Sequence, residues 1–134
     1  AQNKGKINLG NAGIGSASHL CGLMFQNALA VDMTTVPYKG TAPAMTDVIG
    51  GQIASGMIDS GGAAALIKEG RMRALAITAD VRHAVLPDVP TITEAGIPGY
   101  EVVIWYALFA PGQTPKPILA RLNAETVKAL KEWR

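Results

Sequence analysis

Short β-rich segments alternate with amphipathic helical segments along this chain, and glycine or proline separates most of them. Strand character is found in residues 6–9, 33–38, 52–58, 72–78 and 102–110, and helical spacing of apolar residues in 18–31, 41–49, 63–69, 91–96 and 115–134. Short connections between strand and helix suit βαβ units, in which parallel strands are covered by helices. The alternation therefore predicts an α/β fold, a parallel sheet covered by helices.

The composition argues against several classes of protein. Twelve Lys and Arg residues against ten Asp and Glu give a net charge of +2 with interspersed signs, so no nucleic acid partner is expected. A single cysteine permits no internal disulfide and no cysteine-based zinc site, and His19 and His83 are too far apart for a helical metal pair. The longest apolar run, residues 102–110, is well short of the roughly twenty residues that span a bilayer. We expect no metal and no cofactor.

The loops that follow the strands are the candidate ligand sites, because ligands of open parallel sheets bind beyond the carboxyl ends of the strands. The first loop, residues 10–19, reads GNAGIGSASH. Its glycines let the backbone approach a ligand, and the amides of the following helix start favour an anion. It lacks both GxGxxG and GK[ST], which disfavours a nucleotide phosphate. A tight turn with Ser16 or Ser18 as the helix N-cap is an equally good interpretation.

Two further loops carry polar side chains. In the second loop, residues 38–41, Lys39 could add positive charge and Tyr38 could lay its ring along a ligand. A solvated lysine and a half-buried tyrosine are the more common outcome for these residue types. In the third loop, residues 59–62, Asp59 could accept from a ligand amine or a bound water. Capping of the next helix is the more common role of an aspartate at this position.

A hydrolytic site is disfavoured. Ser16 and His19 are three residues apart on a helix start and could meet, with Asp59 as a third member. No GxSxG elbow occurs, however, and a serine at a helix start is usually a cap. We expect His19 to pin the loop by donating to a carbonyl, and we expect no enzyme.

The remaining distinctive residues are interpreted as structural. Cys21 falls within an apolar helical pattern and is expected in the core. Trp105 and Tyr106 fall in the last predicted strand, which is apolar on both faces and therefore expected to be buried. His83 lies in a polar stretch and is expected to be solvated.

Six motifs in this order resemble the solute receptors of tripartite tricarboxylate transporters, the Bug family. They are GNAGIGSASHL (10–20), VPYKG (36–40), DVIGGQI (47–53), GRMRALA (70–76), LPDVPT (86–91) with EAG (94–96), and WYALFAP (105–111) with TP (114–115). The resemblance covers nearly the whole chain. Each motif is weakly specific, but the series is strongly so.

The resemblance implies one lobe of a type II periplasmic binding protein. Residues 1–134 correspond to the second of two ligand-binding domains, with about 112–134 returning toward a first domain that is absent here. It implies a small carboxylate ligand (a di- or tricarboxylate, an acidic amino acid or an aromatic acid), the membrane permease as a partner, and a periplasmic location. No signal-peptide pattern follows Ala1, and both ends are expected to be cut from something larger. The final helix either folds back or swaps into a homodimer.

The resemblance also implies a site. The matching motif assigns the ligand's carboxylate to Ala12, Gly13, Gly15 and Ser16, with Asp59 near its far end. Asn11 stands where the family commonly has serine. Together with Tyr38, these are the candidate ligand residues. An effector-sensing domain of a transcription regulator shares the architecture and is the alternative function.

Overall fold

Three short parallel strands form the centre of the fold, in the order β2-β1-β3. The computed structural model describes residues 7–132. Its strands are β1 (Asn8–Asn11), β2 (Thr34–Pro37) and β3 (Ser55–Gly56). Leu9 lies opposite Thr35 on one side and Ser55 on the other. The predicted parallel α/β architecture is confirmed.

Helices cover both faces of this sheet. They are α1 (Ala17–Leu29), α2 (Thr41–Ile49) and α3 (Ser60–Lys68). The Leu9 side chain lies against Gly22 of α1, whereas a Cβ on Gly10 would meet Ala44 of α2. Because neighbouring residues of a strand face opposite sides, α1 and α2 lie on opposite faces of the sheet. Each helix begins and ends within three residues of its predicted bounds, and Ser16 is the N-cap of α1.

A buried cluster joins α1 to residues that follow the sheet. Cys21, Ile92 and Tyr100 form its centre. The Tyr100 hydroxyl lies 2.7 Å from the Cys21 carbonyl oxygen, to which it donates, and 3.0 Å from the Cys21 sulfur. Phe25 packs edge-on against the Tyr100 ring. Cys21 is a core residue, as predicted, and burial raises the pKa of its thiol.

The prediction of a strand at residues 72–78 is wrong. Only Ile77 pairs, in an isolated bridge with Thr91. Its amide donates to the Pro90 carbonyl, and its own carbonyl accepts from Ile92. A strand needs a partner segment along its whole length. Residues 90–92 are the partner here, and they are too few to pair with more than Ile77. The third predicted strand is likewise shortened from residues 52–58 to Ser55–Gly56.

Residues 91–96 form a turn, not the predicted helix. The capping box itself is present: the Thr91 amide donates to Glu94 Oε2 at 2.7 Å, and the Glu94 amide donates to Thr91 Oγ1 at 3.2 Å. Gly96 then adopts a positive φ of 102° and Pro98 follows. These residues end the turn before a second one can form.

The prediction of a buried strand at residues 102–110 is wrong, and so is the core placement of Trp105 and Tyr106. The Val102 amide donates to the Thr78 carbonyl, and the Val102 carbonyl accepts from the Thr78 hydroxyl. After Val102, none of the described residues forms a strand that could pair with this segment. Its side chains are exposed, by 75% at Trp105 and 89% at Tyr106. An apolar run becomes a buried strand only where neighbours cover it, which its own sequence does not specify.

The chain divides after Ile104, and residues 105–132 form a second unit. This unit contains α4 (Lys116–Glu132), which starts one residue after the predicted Pro115. The Pro115 carbonyl accepts from the Ile118 and Leu119 amides. An open apolar groove of about 720 Å³ lies between the helix and the residues before it. Trp133, part of the predicted stripe, lies outside the described residues.

Candidate functional site

The three predicted loops follow β1, β2 and β3, so all of them leave the same edge of the sheet. Hydrogen bonds join the first two. The Tyr38 amide donates to the Asn11 carbonyl at 3.0 Å, and the Gly40 amide donates to the Ala12 carbonyl at 3.1 Å. The structure therefore brings the first and second loops into direct contact.

The first loop is held by its own side chains. The Gly13 amide donates to Asn11 Oδ1 at 2.9 Å, and the Ala12 amide donates to Ser18 Oγ at 2.9 Å. The Gly15 amide donates to His19 Nδ1 at 3.2 Å, and the Ser16 amide to the Gly13 carbonyl at 3.1 Å. The amides of the four residues that the resemblance assigns to the ligand's carboxylate are thus already bonded within the chain.

Two exposed amides at this helix start remain free, and the amide of the buried Ser18 also has no acceptor among residues 7–132. No acceptor among residues 7–132 bonds the amides of Ile14 and Ala17, and both residues are exposed. Ser16 Oγ accepts from the His19 amide at 3.2 Å and lies 3.1 Å from Ser18 Oγ. Free amides at the positive end of a helix dipole are a suitable site for an anion. The sequence indicated the amides of this helix start as a group, because the first positions of a helix have unpaired amides, but it did not single out Ile14 and Ala17.

Asn11 and Tyr38 are both engaged within the chain. Asn11 is 2% exposed, and its side chain shapes the turn into the first loop. The Tyr38 hydroxyl donates to Asp47 Oδ2 at 2.8 Å, and this bond raises the pKa of Tyr38. Lys39 beside it is exposed and leaves one positive charge at this edge of the sheet.

Asp59 caps α3. Its Oδ1 accepts from the Gly62 amide at 2.9 Å. That bond lowers the pKa of Asp59, with a smaller contribution from the Thr41 hydroxyl, so the group is a carboxylate at neutral pH. The capping role that sequence reasoning gave as the alternative is therefore present. A ligand contact at Asp59 stays a prediction.

The arrangement does not assemble a hydrolytic triad. Ser16 bonds the backbone amide of His19, not its ring, and Nδ1 of that ring accepts from Gly15. His19 pins the loop as predicted, but as an acceptor. Among residues 7–132, no three His, Cys, Asp or Glu residues cluster in a way that could hold a metal. Within the same range, none of the helices has the length and apolar character needed to cross a bilayer.

Comparisons with known proteins agree on one family. The sequence profile described as "Tripartite tricarboxylate transporter family receptor" matches residues 1–133. A protein of Agrobacterium vitis, "UPF0065 protein in the TAR-I ttuE-ttuC' intergenic region", is 43% identical over 131 residues, which are 98% of this chain and 38% of the relative. The chain thus spans about two-fifths of the length of such relatives.

Solved structures are similar as well. The periplasmic binding protein BugD is 46% identical with a TM-score of 0.79, over 90% of this chain and 40% of BugD. MatC from Rhodopseudomonas palustris, solved with bound malate, is 41% identical with a TM-score of 0.83, over 94% and 43% of the two chains. Rpa4515 of R. palustris, solved with adipate, is 35% identical with a TM-score of 0.84, over 92% and 41%.

Proposed function

This chain belongs to the tripartite tricarboxylate transporter receptor family, and we propose that it binds one carboxylate group of a small dicarboxylate at the start of α1. The observation that carries the proposal is the pair of free amides at Ile14 and Ala17, at the positive end of a thirteen-residue helix. Lys39 supplies a nearby positive charge. Malate and adipate, the ligands of two similar structures, are both dicarboxylates.

We further propose that the chain is the second lobe of a two-lobed receptor, with about residues 112–134 returning toward the first. Its coverage of two-fifths of its relatives supports this division. Closure of two lobes around the ligand would supply most of the affinity. The same family membership supports three further parts of the proposal: delivery of the ligand to a membrane permease, a periplasmic location and the absence of catalysis. Nothing favours the alternative of a transcription-regulator domain.

Calorimetry with malate, adipate and citrate tests the proposal. We expect the complete receptor to bind at least one of them, and this chain alone to bind it roughly 100-fold more weakly, a difference of about 2.7 kcal/mol. Equal affinity of the chain and the receptor would contradict the two-lobed clamp. Absence of binding to any carboxylate by the complete receptor would contradict the ligand class.

The variant Ala17→Pro tests the amide directly. Ala17 is the first residue of α1, where proline is well tolerated, and Ser16 before it has φ −67° and ψ 160°, which suit a residue preceding proline. The substitution therefore removes one free N–H and leaves the helix intact. We expect roughly tenfold weaker carboxylate binding by the complete receptor, as for one charge-assisted hydrogen bond. The matched control Ala17→Ser keeps the amide and should bind as the wild type does.

A further inference from the structure

The Tyr38 side chain and backbone contact three parts of the first loop and the strand before it. Its amide donates to the Asn11 carbonyl. A Cβ added to Gly13 would lie only 3.0 Å from the Tyr38 carbonyl oxygen, and a Cβ added to Gly10 would lie 3.3 Å from Cε2 of the Tyr38 ring. The position of Tyr38 thus determines how closely the second loop approaches the first.

Asp47 holds Tyr38 in that position from the far end of α2. Its carboxylate accepts the Tyr38 hydroxyl at 2.8 Å. Its backbone carbonyl accepts from the Gln52 amide at 2.9 Å and from the Ile53 amide at 3.4 Å. The buried Ile53 side chain then lies beside Gly10, on the same face of the sheet as the Tyr38 ring. Asp47 therefore ties the second loop and the turn before β3 to the same helix end.

Helix stability does not explain an aspartate here. Asp47 lies in the last turn of α2, where a carboxylate is unfavourable beside the negative end of the helix dipole. A neutral residue would suit the isolated helix better. The carboxylate is instead hydrogen-bonded to Tyr38, outside its own helix.

From this geometry we infer that Asp47 is a positioning residue for the ligand site, acting through Tyr38 to fix the first loop against the second. The effect on ligand binding rests on the proposed function, whereas the effect of Asp47 on the position of the two loops does not. The inference adds to the site a residue that contacts no ligand.

Amide hydrogen exchange tests the geometry without any ligand. In Tyr38→Phe and Asp47→Ala, we expect the backbone amides at positions 38 and 40 to exchange about tenfold faster. The reason is that their hydrogen bonds to the first loop would open more often. Asp47→Asn keeps an acceptor oxygen for the hydroxyl and should restore most of the protection. Thr46→Ala, an exposed change in the same helix, is the matched control and should leave both amides unchanged. Unchanged exchange in Tyr38→Phe would overturn the inference.

Malate affinity of the complete receptor tests the consequence. Tyr38→Phe and Asp47→Ala should each weaken binding several-fold, and the double variant should weaken it no more than one of them does, because both remove the same bond. Additive losses would show that the two residues act separately and would overturn the inference. If the wild-type receptor binds no carboxylate, the proposed function fails, while the exchange measurement still decides whether Asp47 positions the loops.

Discussion

At Gly10, in the middle of the central strand, even a methyl group has no room. A Cβ there would lie 2.5 Å from Cδ1 of Ile53 and 3.3 Å from Cε2 of Tyr38. Ile53 is buried, so its side chain has little freedom to move away. Gly10 is therefore required by the close packing of α2 and the second loop on the sheet, although its φ is not one that only glycine adopts.

We predict that Gly10→Ala destabilises the chain by about 1–3 kcal/mol, the usual cost of overpacking a close-fitting core. The free energy of unfolding in urea measures this. Gly112→Ala is the control, because a Cβ there meets nothing within 4 Å, and it should change the stability little. Equal stability of Gly10→Ala and the wild type would mean that Ile53 and Tyr38 are not packed as described.

The conformations and contacts of single residues could be predicted from the sequence only where they depend on neighbours a few positions away. The glycine spacing of the first loop indicated a tight turn, and Gly13 and Gly15 do adopt the positive φ of 124° and 80° that such a turn requires. The N-cap of α1 is equally local: the sequence narrows it to Ser16 or Ser18, and Ser16 is the residue that caps the helix. The bond between Tyr38 and Asp47 could not be predicted, because it depends on where the second loop meets the end of α2.

At the scale of elements, the Asp59 cap is part of the stability of α3. Because the Gly62 amide lowers the pKa of Asp59, its stabilisation is fully present above the ordinary aspartate pKa and is lost as pH falls through the lowered folded pKa. We predict that Asp59→Ala costs about 1 kcal/mol at pH 7 and progressively less below about pH 4. Urea unfolding at pH 7 and at pH 3 measures both values.

Two controls accompany that experiment. Asp59→Asn keeps an uncharged acceptor for Gly62 and should lose little stability at either pH. Asp88→Ala removes an exposed carboxylate outside the helices and should be nearly neutral. A cost for Asp59→Ala that is the same at pH 7 and pH 3 would contradict the role of the ionised carboxylate.

The helices could be predicted and the later strands could not, for a physical reason. Helix hydrogen bonds join residues four apart, so periodicity within the segment itself defines α1 and α2, and α1 has the Ser16 cap in addition. Strand hydrogen bonds join segments that are distant in the sequence. The residues at 72–78 and 102–110 have strand composition, but only Ile77 finds a bridge partner in the part of the chain described.

At the scale of the whole molecule, the described residues of the second unit leave their large apolar side chains exposed. No residue of α4 is buried, and Phe109 is 83% exposed. Apolar side chains that are exposed together often mark a surface that contacts another part of a protein. The proposed first lobe would provide such a contact in the complete receptor, and a second copy of this chain is the other candidate.

Trp105 reports which of these contacts forms. With Trp133→Phe to remove the other tryptophan, we predict strong acrylamide quenching of Trp105 in this chain at low concentration, because its side chain is 75% exposed. Quenching should be several-fold weaker in the complete receptor. Equal quenching in the two would contradict coverage by the first lobe. Quenching that weakens as the chain is concentrated would indicate a homodimer instead.

The internal hydrogen bonds of the first loop have a kinetic consequence. Asn11, Ser18 and His19 already order its backbone, so the carboxylate that we propose as ligand would have little conformational entropy to remove. Capture should therefore begin at a rate close to that of diffusional encounter, without a preceding loop rearrangement. The lifetime of the bound state would then depend on how often the lobes reopen.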